Sequence, residues 1–474
     1  MSELPPGPRG LDNLRFLFST TEDFMKPLCR MARDYGEVAS THARGRHIVA
    51  VSSSEAARHV LVTNQDNYSK GIEYELLRIV LGEGLLTSEG EVWRRQRKLV
   101  QPMFAKRHLG DFTAHMTAAT ADALDGGTLG AAAGETLDVN RAMMELTLDV
   151  VGRALFGADL SGETAARVGP AMNDVLQLGT RMARRLPTYA ASMLPGMNLE
   201  RALVLNPESR RFQRALAELR RVIDDVLVER AARSDPGDDL LGLMVSVRDE
   251  ETGEAMSRKQ IGDELMTFML AGHETTSNAL SWLWRELSLN PWARERLFEE
   301  VDSAIGDRIP TMDDIDSLPW TRACVEEAMR ITPPVWMVGR RARSDDEIDG
   351  YLVPAGSSVM VLITMIHRDP KLWPNPEGFD PNRFMPGAST DRPKQAYMPF
   401  GAGRRICVGS TFAIVEATLL AAMISRRMYF DLPRGAAVEV EAAITQRPRY
   451  GLPMSAGLRE SPRSEPALTG ASSA

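Results

Sequence analysis

The segment FGAGRRICVG, residues 400–409, concentrates more potential chemistry than any other stretch of the chain. Cys407 stands there with Gly401, Gly403 and Gly409 around it and Arg405 two residues before it. A helical pattern begins just after, so free backbone N–H groups and the positive end of a helix dipole favour a thiolate over a thiol. The glycines let the backbone bend tightly and approach something flat and bulky, and Arg405 offers a fixed cation to an anionic neighbour. A second unusual segment is Ala271-Gly272-His273-Glu274-Thr275-Thr276. A glycine and a pair of β-branched threonines are poor helix formers, and a glutamate inside a buried helix is costly. Local inconsistency of this kind marks functional positions. His273 reads as a packed or hydrogen-bonded side chain, not a ligand. Trp93 and Arg97 stand four apart on one face of EVWRRQRKL. Glu327 and Arg330 form an i,i+3 pair, but E-x-x-R occurs seven times in the chain, so that spacing alone distinguishes nothing.

These residues need elements to carry them. The longest helical pattern covers residues 257–289 and is ended by Asn290-Pro291; at about 1.5 Å per residue such a helix crosses a whole domain and belongs at its centre. Residues 37–52 alternate as a hairpin about Arg44-Gly45. Residues 54–289 are mostly helical, with breaks at 82–84, 125–134, 187–207 and 234–238. Further helices are expected at 291–305, 319–331 and 410–428, and short strands over 343–366 with turns at Asp349-Gly350 and 354–356. Residues 368–403 form a long Pro-rich coil, a loop type that is usually functional or held by something. The reading is an extended lead-in over 1–12, one mainly α domain with small β-sheets over 13–458, and a disordered tail over 459–474.

The pattern F-x-x-G-x-R-x-C-x-G at 400–409 resembles the haem-binding loop of the cytochrome P450 family, and AGHETT at 271–276 is similar to the family's A/G-G-x-D/E-T-T/S motif. Trp93 and Arg97 resemble its W-x-x-x-R helix. Only the Glu327 copy of E-x-x-R is followed by Thr332-Pro333-Pro334 and then Pro381-Asn382-Arg383-Phe384, as in the family. The resemblance runs from about residue 5 to residue 453 and implies a single-domain cytochrome P450 fold. It implies haem b held through the thiolate of Cys407, a ligation established for the family and not read from this chain. Phe400, Gly401, Ala271 and Gly272 would pack on the macrocycle. Trp93, Arg97, Arg405 and Arg340 would meet its propionates, with Arg341 competing for the place of Arg340. Ala271 and Gly272 would leave room for O2, Thr275 would hydrogen-bond the oxygen, and Glu274 would relay protons from solvent. Glu327, Arg330 and Arg383 would form a buried structural triad. Pocket walls are expected at Met269, Leu270, Ala271, Val335, Met337 and Tyr450.

Composition sets the outer limits. The chain has 474 residues, 43% hydrophobic and 25% charged, an ordinary globular balance. Its three cysteines (Cys29, Cys324, Cys407) exclude a disulfide framework and a four-thiolate iron–sulfur cluster. The net charge of −8 argues against a general nucleic-acid binder. No apolar stretch approaches the roughly 20 residues of a membrane span, and MSELPPGPRG lacks the apolar centre of a signal peptide. A cytoplasmic monomer without a transmembrane anchor is expected. With no flavin module or cluster cysteines, electrons are expected from a separate ferredoxin with its reductase, or a flavodoxin-type donor. A basic face of Arg94, Arg95, Lys98 and Arg404 would receive it. The expected activity is insertion of one atom of O2 into an apolar organic substrate, by hydroxylation or epoxidation. A peroxide-driven haem-thiolate oxygenase and a haem-thiolate gas sensor or carrier are the alternatives.

Overall fold

The structure, a computed structural model, describes residues 2–19, 23–43, 45–157, 162–184, 208–235, 237–388 and 391–459. Its axis is the helix Arg258–Leu289, 32 residues long. A capping box fixes the start: the Ser257 hydroxyl accepts from the Gln260 N–H, and the Gln260 side chain accepts from the Ser257 N–H. Pro291 opens the next helix, Pro291–Ala304. The long helix buries Leu265, Leu280, Trp282 and Trp284 on several faces, because helices Val139–Phe156, Ser209–Ala231, Pro319–Ile331 and Ser410–Arg427 all pack on it. A helix apolar nearly all round is stable only in such a position.

The strands, in chain order, are β1 (Val38–Ala43), β2 (Arg46–Val51), β3 (Tyr68–Lys70), β4 (Thr136–Asp138), β5 (Val338–Ala342), β6 (Asp346–Ile348), β7 (Tyr351–Val353), β8 (Ser358–Val361), β9 (Met428–Asp431), β10 (Val440–Ala442), β11 (Gln446–Pro448) and β12 (Pro453–Leu458). The largest sheet has the order β1-β2-β8-β5-β3, with β2 and β8 parallel and the other neighbours antiparallel. Pairs β6–β7 and β10–β11 are separate hairpins, and β12 lies between β4 and β9.

Three expectations are corrected. The lead-in is extended only to Arg9, where it borders the large sheet through the Ser40 N–H and the Pro6 carbonyl (2.7 Å); Gly10–Ser19 is helical. The strand run expected to residue 366 stops at Val361, where its partner β2 also ends, and Ile363–Ile366 turns into a short helix. Strands β9 to β12 were not anticipated beyond a turn at 451–454. The break at 187–207 and the tail from 460 lie outside the described residues.

Among its described residues, the long coil over residues 368–403 holds only short 3-10 turns and is pinned by side chains. Arg330 donates to Glu327 through Nε (2.7 Å) and Nη2 (2.8 Å), and Arg383 Nε reaches the same carboxylate at 3.3 Å. Arg330 also donates to the carbonyls of His367, Pro376 and Gly378, and Arg383 to those of Pro374 and Asn375. Glu327 and Arg330 are fully buried with charge and hydrogen bonds both matched, the condition under which buried ions are tolerated. Among the described residues no helix is long and apolar enough to cross a membrane.

Candidate functional site

One interior cavity of about 360 Å³ lies between the long helix and the Cys407 loop. Cys407 follows the turn Gly403–Arg405 and precedes the helix Ser410–Arg427; its N–H donates to the Phe400 carbonyl (3.0 Å). Gly403 has φ +70, and a Cβ there would lie 1.9 Å from the Leu61 carbonyl oxygen, so this turn admits only glycine. The Cys407 side chain is exposed and lines the cavity, while the protein packed around it desolvates the thiol. Burial pushes its pKa up, while the Gly409 N–H and Arg97 pull it down without reversing the direction. The helix N-terminus therefore does not by itself make Cys407 a thiolate, as the sequence suggested; a metal cation would, since a coordinated thiol is deprotonated outright.

Cations gather at one end of the cavity. Arg97 Nη1 donates to the Ile406 carbonyl (2.7 Å), and Arg405 Nη1 donates to the Ser88 carbonyl (2.8 Å) with its guanidinium 4.0 Å over the Trp93 ring. Strand register separates Arg340 from Arg341. Lys70 of β3 pairs with Arg340 of β5, and Ser69 with Arg341. Alternation turns Lys70 and Arg340 to the cavity and leaves Arg341 exposed. Lys70, Arg340 and Arg405 form no ion pair within 4.0 Å among the described residues. Burial first, and then mutual repulsion, lowers Lys70 well below the usual lysine value and Arg405 to about 10, with Glu89 partly offsetting both. This cradle asks for anionic charge, and with a thiol on one wall and glycines beneath, the residues present fit a haem and its two propionates. The sequence reading missed Lys70 and Tyr74, which line this end; the period-2 pattern around Lys70 was too short to reveal its face.

The long helix supplies the opposite wall. Ala271, Gly272, Glu274 and Thr275 all line the cavity. Gly272 has a packing reason too, since a Cβ there would meet Val151 of the neighbouring helix at 3.0 Å. Thr275 Oγ1 donates to the Ala271 carbonyl (2.7 Å). Glu274 is buried, and its Oε1 accepts from Thr445 Oγ1 (2.8 Å). Burial raises its pKa; Arg447 and the Thr445 bond oppose that, and Glu441 adds to it. His273 is packed and neutral, lowered by burial to about 4. A second acid, Glu416, was not foreseen. It lines the cavity from the helix after Cys407, accepts from Thr276 Oγ1 (3.1 Å), and is pushed by burial to about 8.

Of the expected pocket walls, Leu270, Ala271 and Val335 line the cavity and three do not. Met269 turns into the main core, Met337 packs beside Trp336 under the large sheet, and Tyr450 is 75% exposed beneath Arg449. Leu77, Leu81, Leu85, Val175, Phe268 and Ile444 complete an apolar lining. The proposed basic face is internally paired: Arg94 with Glu91, Arg95 with Glu254 (2.8 Å), Lys98 with Glu251 (2.9 Å) and Arg404 with Asp66 (2.8 Å).

A thiol and a cationic cradle on one side, and a carboxyl–hydroxyl helix on the other, face one cavity. The cytochrome P450 family model matches residues 5–447. The chain is 38% identical to the protein named cytochrome P450 132 of Mycobacterium tuberculosis (strain ATCC 25618 / H37Rv), over 88% of this chain and 89% of that one. It is 31% identical to cyclooctat-9-en-7-ol 5-monooxygenase of Streptomyces melanosporofaciens, over 79% and 78%. The crystal structure of cytochrome P450DA heme domain superposes with a TM-score of 0.83 at 26% identity, covering 97% of this chain and 98% of that one. The chain belongs to the cytochrome P450 family: it is a monooxygenase with haem b as its cofactor.

Proposed function

We propose that the chain inserts one oxygen atom from O2 into an apolar organic substrate, by hydroxylation or epoxidation, using electrons from a separate ferredoxin- or flavodoxin-type donor, as a cytoplasmic monomer. The observation that carries this is the shared cavity, with the Cys407 thiol on one wall and Glu274 and Thr275 on the other. Bound haem supplies the redox centre at which O2 is reduced, made electron-rich by a cysteine ligand. Cys407 is the ligand. Lys70, Arg97, Arg340 and Arg405 hold the propionates, with Trp93 stacked under Arg405. Leu77, Leu81, Leu85 and Phe268 exclude water and hold the substrate by apolar contact. Glu274 would carry protons into the cavity, and the Thr275 hydroxyl, its own proton given to the Ala271 carbonyl, would offer an acceptor beside them. A peroxide-driven enzyme would have no use for that pair.

A carbon monoxide difference spectrum of the reduced protein tests the ligation. The expected result is the red-shifted Soret band of a thiolate carbonyl, lost in Cys407→Ser. A normal-haem carbonyl band in the unaltered protein refutes Cys407 as thiolate ligand.

A further inference from the structure

Glu274 has a partner that the proton path above does not use. Thr445 sits at the turn of the β10–β11 hairpin and is 2% exposed. Its hydroxyl has one proton and accepts from Asn278 Nδ2 at 3.2 Å. That proton is donated to Glu274 Oε1 at 2.8 Å. Asn278 is itself placed by Asn140 of the neighbouring helix, whose Nδ2 donates to Asn278 Oδ1 at 3.3 Å. The hairpin tip is held from outside as well. Trp282 Nε1 donates to the Gln446 carbonyl (3.1 Å), Gln446 donates to the carbonyls of Pro333 and Pro334, and Trp336 Nε1 donates to the Ala443 carbonyl (3.1 Å). Ile444 and Thr445 both line the cavity. The tip thus joins the cavity wall to the carboxyl.

We propose that Thr445 is the positioning residue for Glu274: its oriented hydroxyl anchors the carboxylate to the β10–β11 hairpin and sets when that group gives its proton to the cavity. The inference rests on the proton role of Glu274 given above. Among the described residues, Arg447 and Glu441 on the hairpin are the charged groups that act on this carboxyl; His273 precedes it on its own helix, and Glu416 lines the same cavity. Arg447 is paired with Glu441 at 2.9 Å, which tempers its pull on Glu274. The neighbouring helix Val139–Phe156 presents the uncharged Asn140 and Thr147 to this stretch. Thr445 is therefore the only direct hydrogen-bond donor to the Glu274 side chain among the described residues.

The test is an infrared difference titration of the haem-loaded protein, with the carboxylic acid band of Glu274 identified by its loss in Glu274→Gln. Thr445→Val removes the donor and is expected to raise the Glu274 midpoint by about one pH unit, the size of a lost hydrogen bond to a charged acceptor. Thr445→Ser restores it. During reductant-driven O2 consumption, the pH at which the peroxide share rises should move with that midpoint. An unchanged midpoint in Thr445→Val, or no recovery in Thr445→Ser, overturns the proposal. If Thr445→Val does not take up haem, Asn278→Ala serves instead: freeing the hydroxyl should raise the midpoint by a smaller amount, and no rise overturns the proposal. Wild-type peroxide yield in Glu274→Gln would overturn the proton role itself, while the midpoint still decides whether Thr445 holds the group.

Discussion

Glu416 makes stability depend on pH in a way that one substitution isolates. The carboxyl is fully buried, and among the described residues its Oε2 accepts only from Thr276 and its Oε1 has no partner, so burial raises its pKa from 4.5 to about 8. Between those values the folded chain keeps the proton and the unfolded chain does not. Stability is therefore full below about pH 4.5 and falls as pH rises through 8. At about 1.4 kcal/mol per pH unit, the loss from pH 5 to pH 7 is roughly 3 kcal/mol, a large share of a domain's net stability. Glu416→Gln keeps an acceptor for Thr276 and never ionises. Denaturant unfolding of both proteins, followed by far-ultraviolet circular dichroism at half-unit pH steps, reads the effect as a difference. The two curves should lie close near pH 5, and the glutamine variant should gain steadily to about pH 8, then level off. A difference independent of pH would mean that Glu416 is ionised in the fold, and the burial argument would fail.

Three further outcomes are expected. Thr275→Ala should retain haem and substrate binding yet divert electrons to hydrogen peroxide, measured as peroxide per reductant consumed; full coupling would exclude its role. Glu327→Ala leaves Arg330 buried without its carboxylate and should cost about 3–5 kcal/mol, seen as failure to accumulate folded, haem-loaded protein, whereas wild-type melting behaviour would show the triad to be dispensable. Arg405→Leu should speed transfer of haem to apomyoglobin about tenfold or more, and Arg341→Leu should not. Equal rates would contradict the place of Arg405 in the cationic cradle.

Legibility followed the range of the interactions. The Cys407 loop and the AGHETT helix were readable because their chemistry is carried by contiguous residues. Glu327 became readable only through its distant companions, Thr332-Pro333-Pro334 and Arg383. Arg340 could not be separated from Arg341, since parity on a strand is set by the register with β3 and β8, which no local pattern prints. Lys70 escaped for the same reason. Met269 was misassigned because a helix buried on several faces has no amphipathic signal to say which apolar residue faces the cavity. Gly272 reads as space for a reactant, and the fold adds the close approach of Val151. Glu416 did carry a signal, a charge inside an apolar helix nine residues after Cys407, that the sequence reading passed over.

The paired charges around Arg94, Arg95, Lys98 and Arg404 bear on how electrons arrive. A donor seated there would trade an internal ion pair for an external one, and exposed pairs differ by only about 1 kcal/mol or less. Long-range attraction is likewise blunted, because each cation already has an anion beside it. What this face offers uncommitted is apolar: Val92 is 46% exposed and Ile406, next to Cys407, 41%. Recognition built on such contacts tolerates raised ionic strength and discriminates poorly between reductants of similar shape.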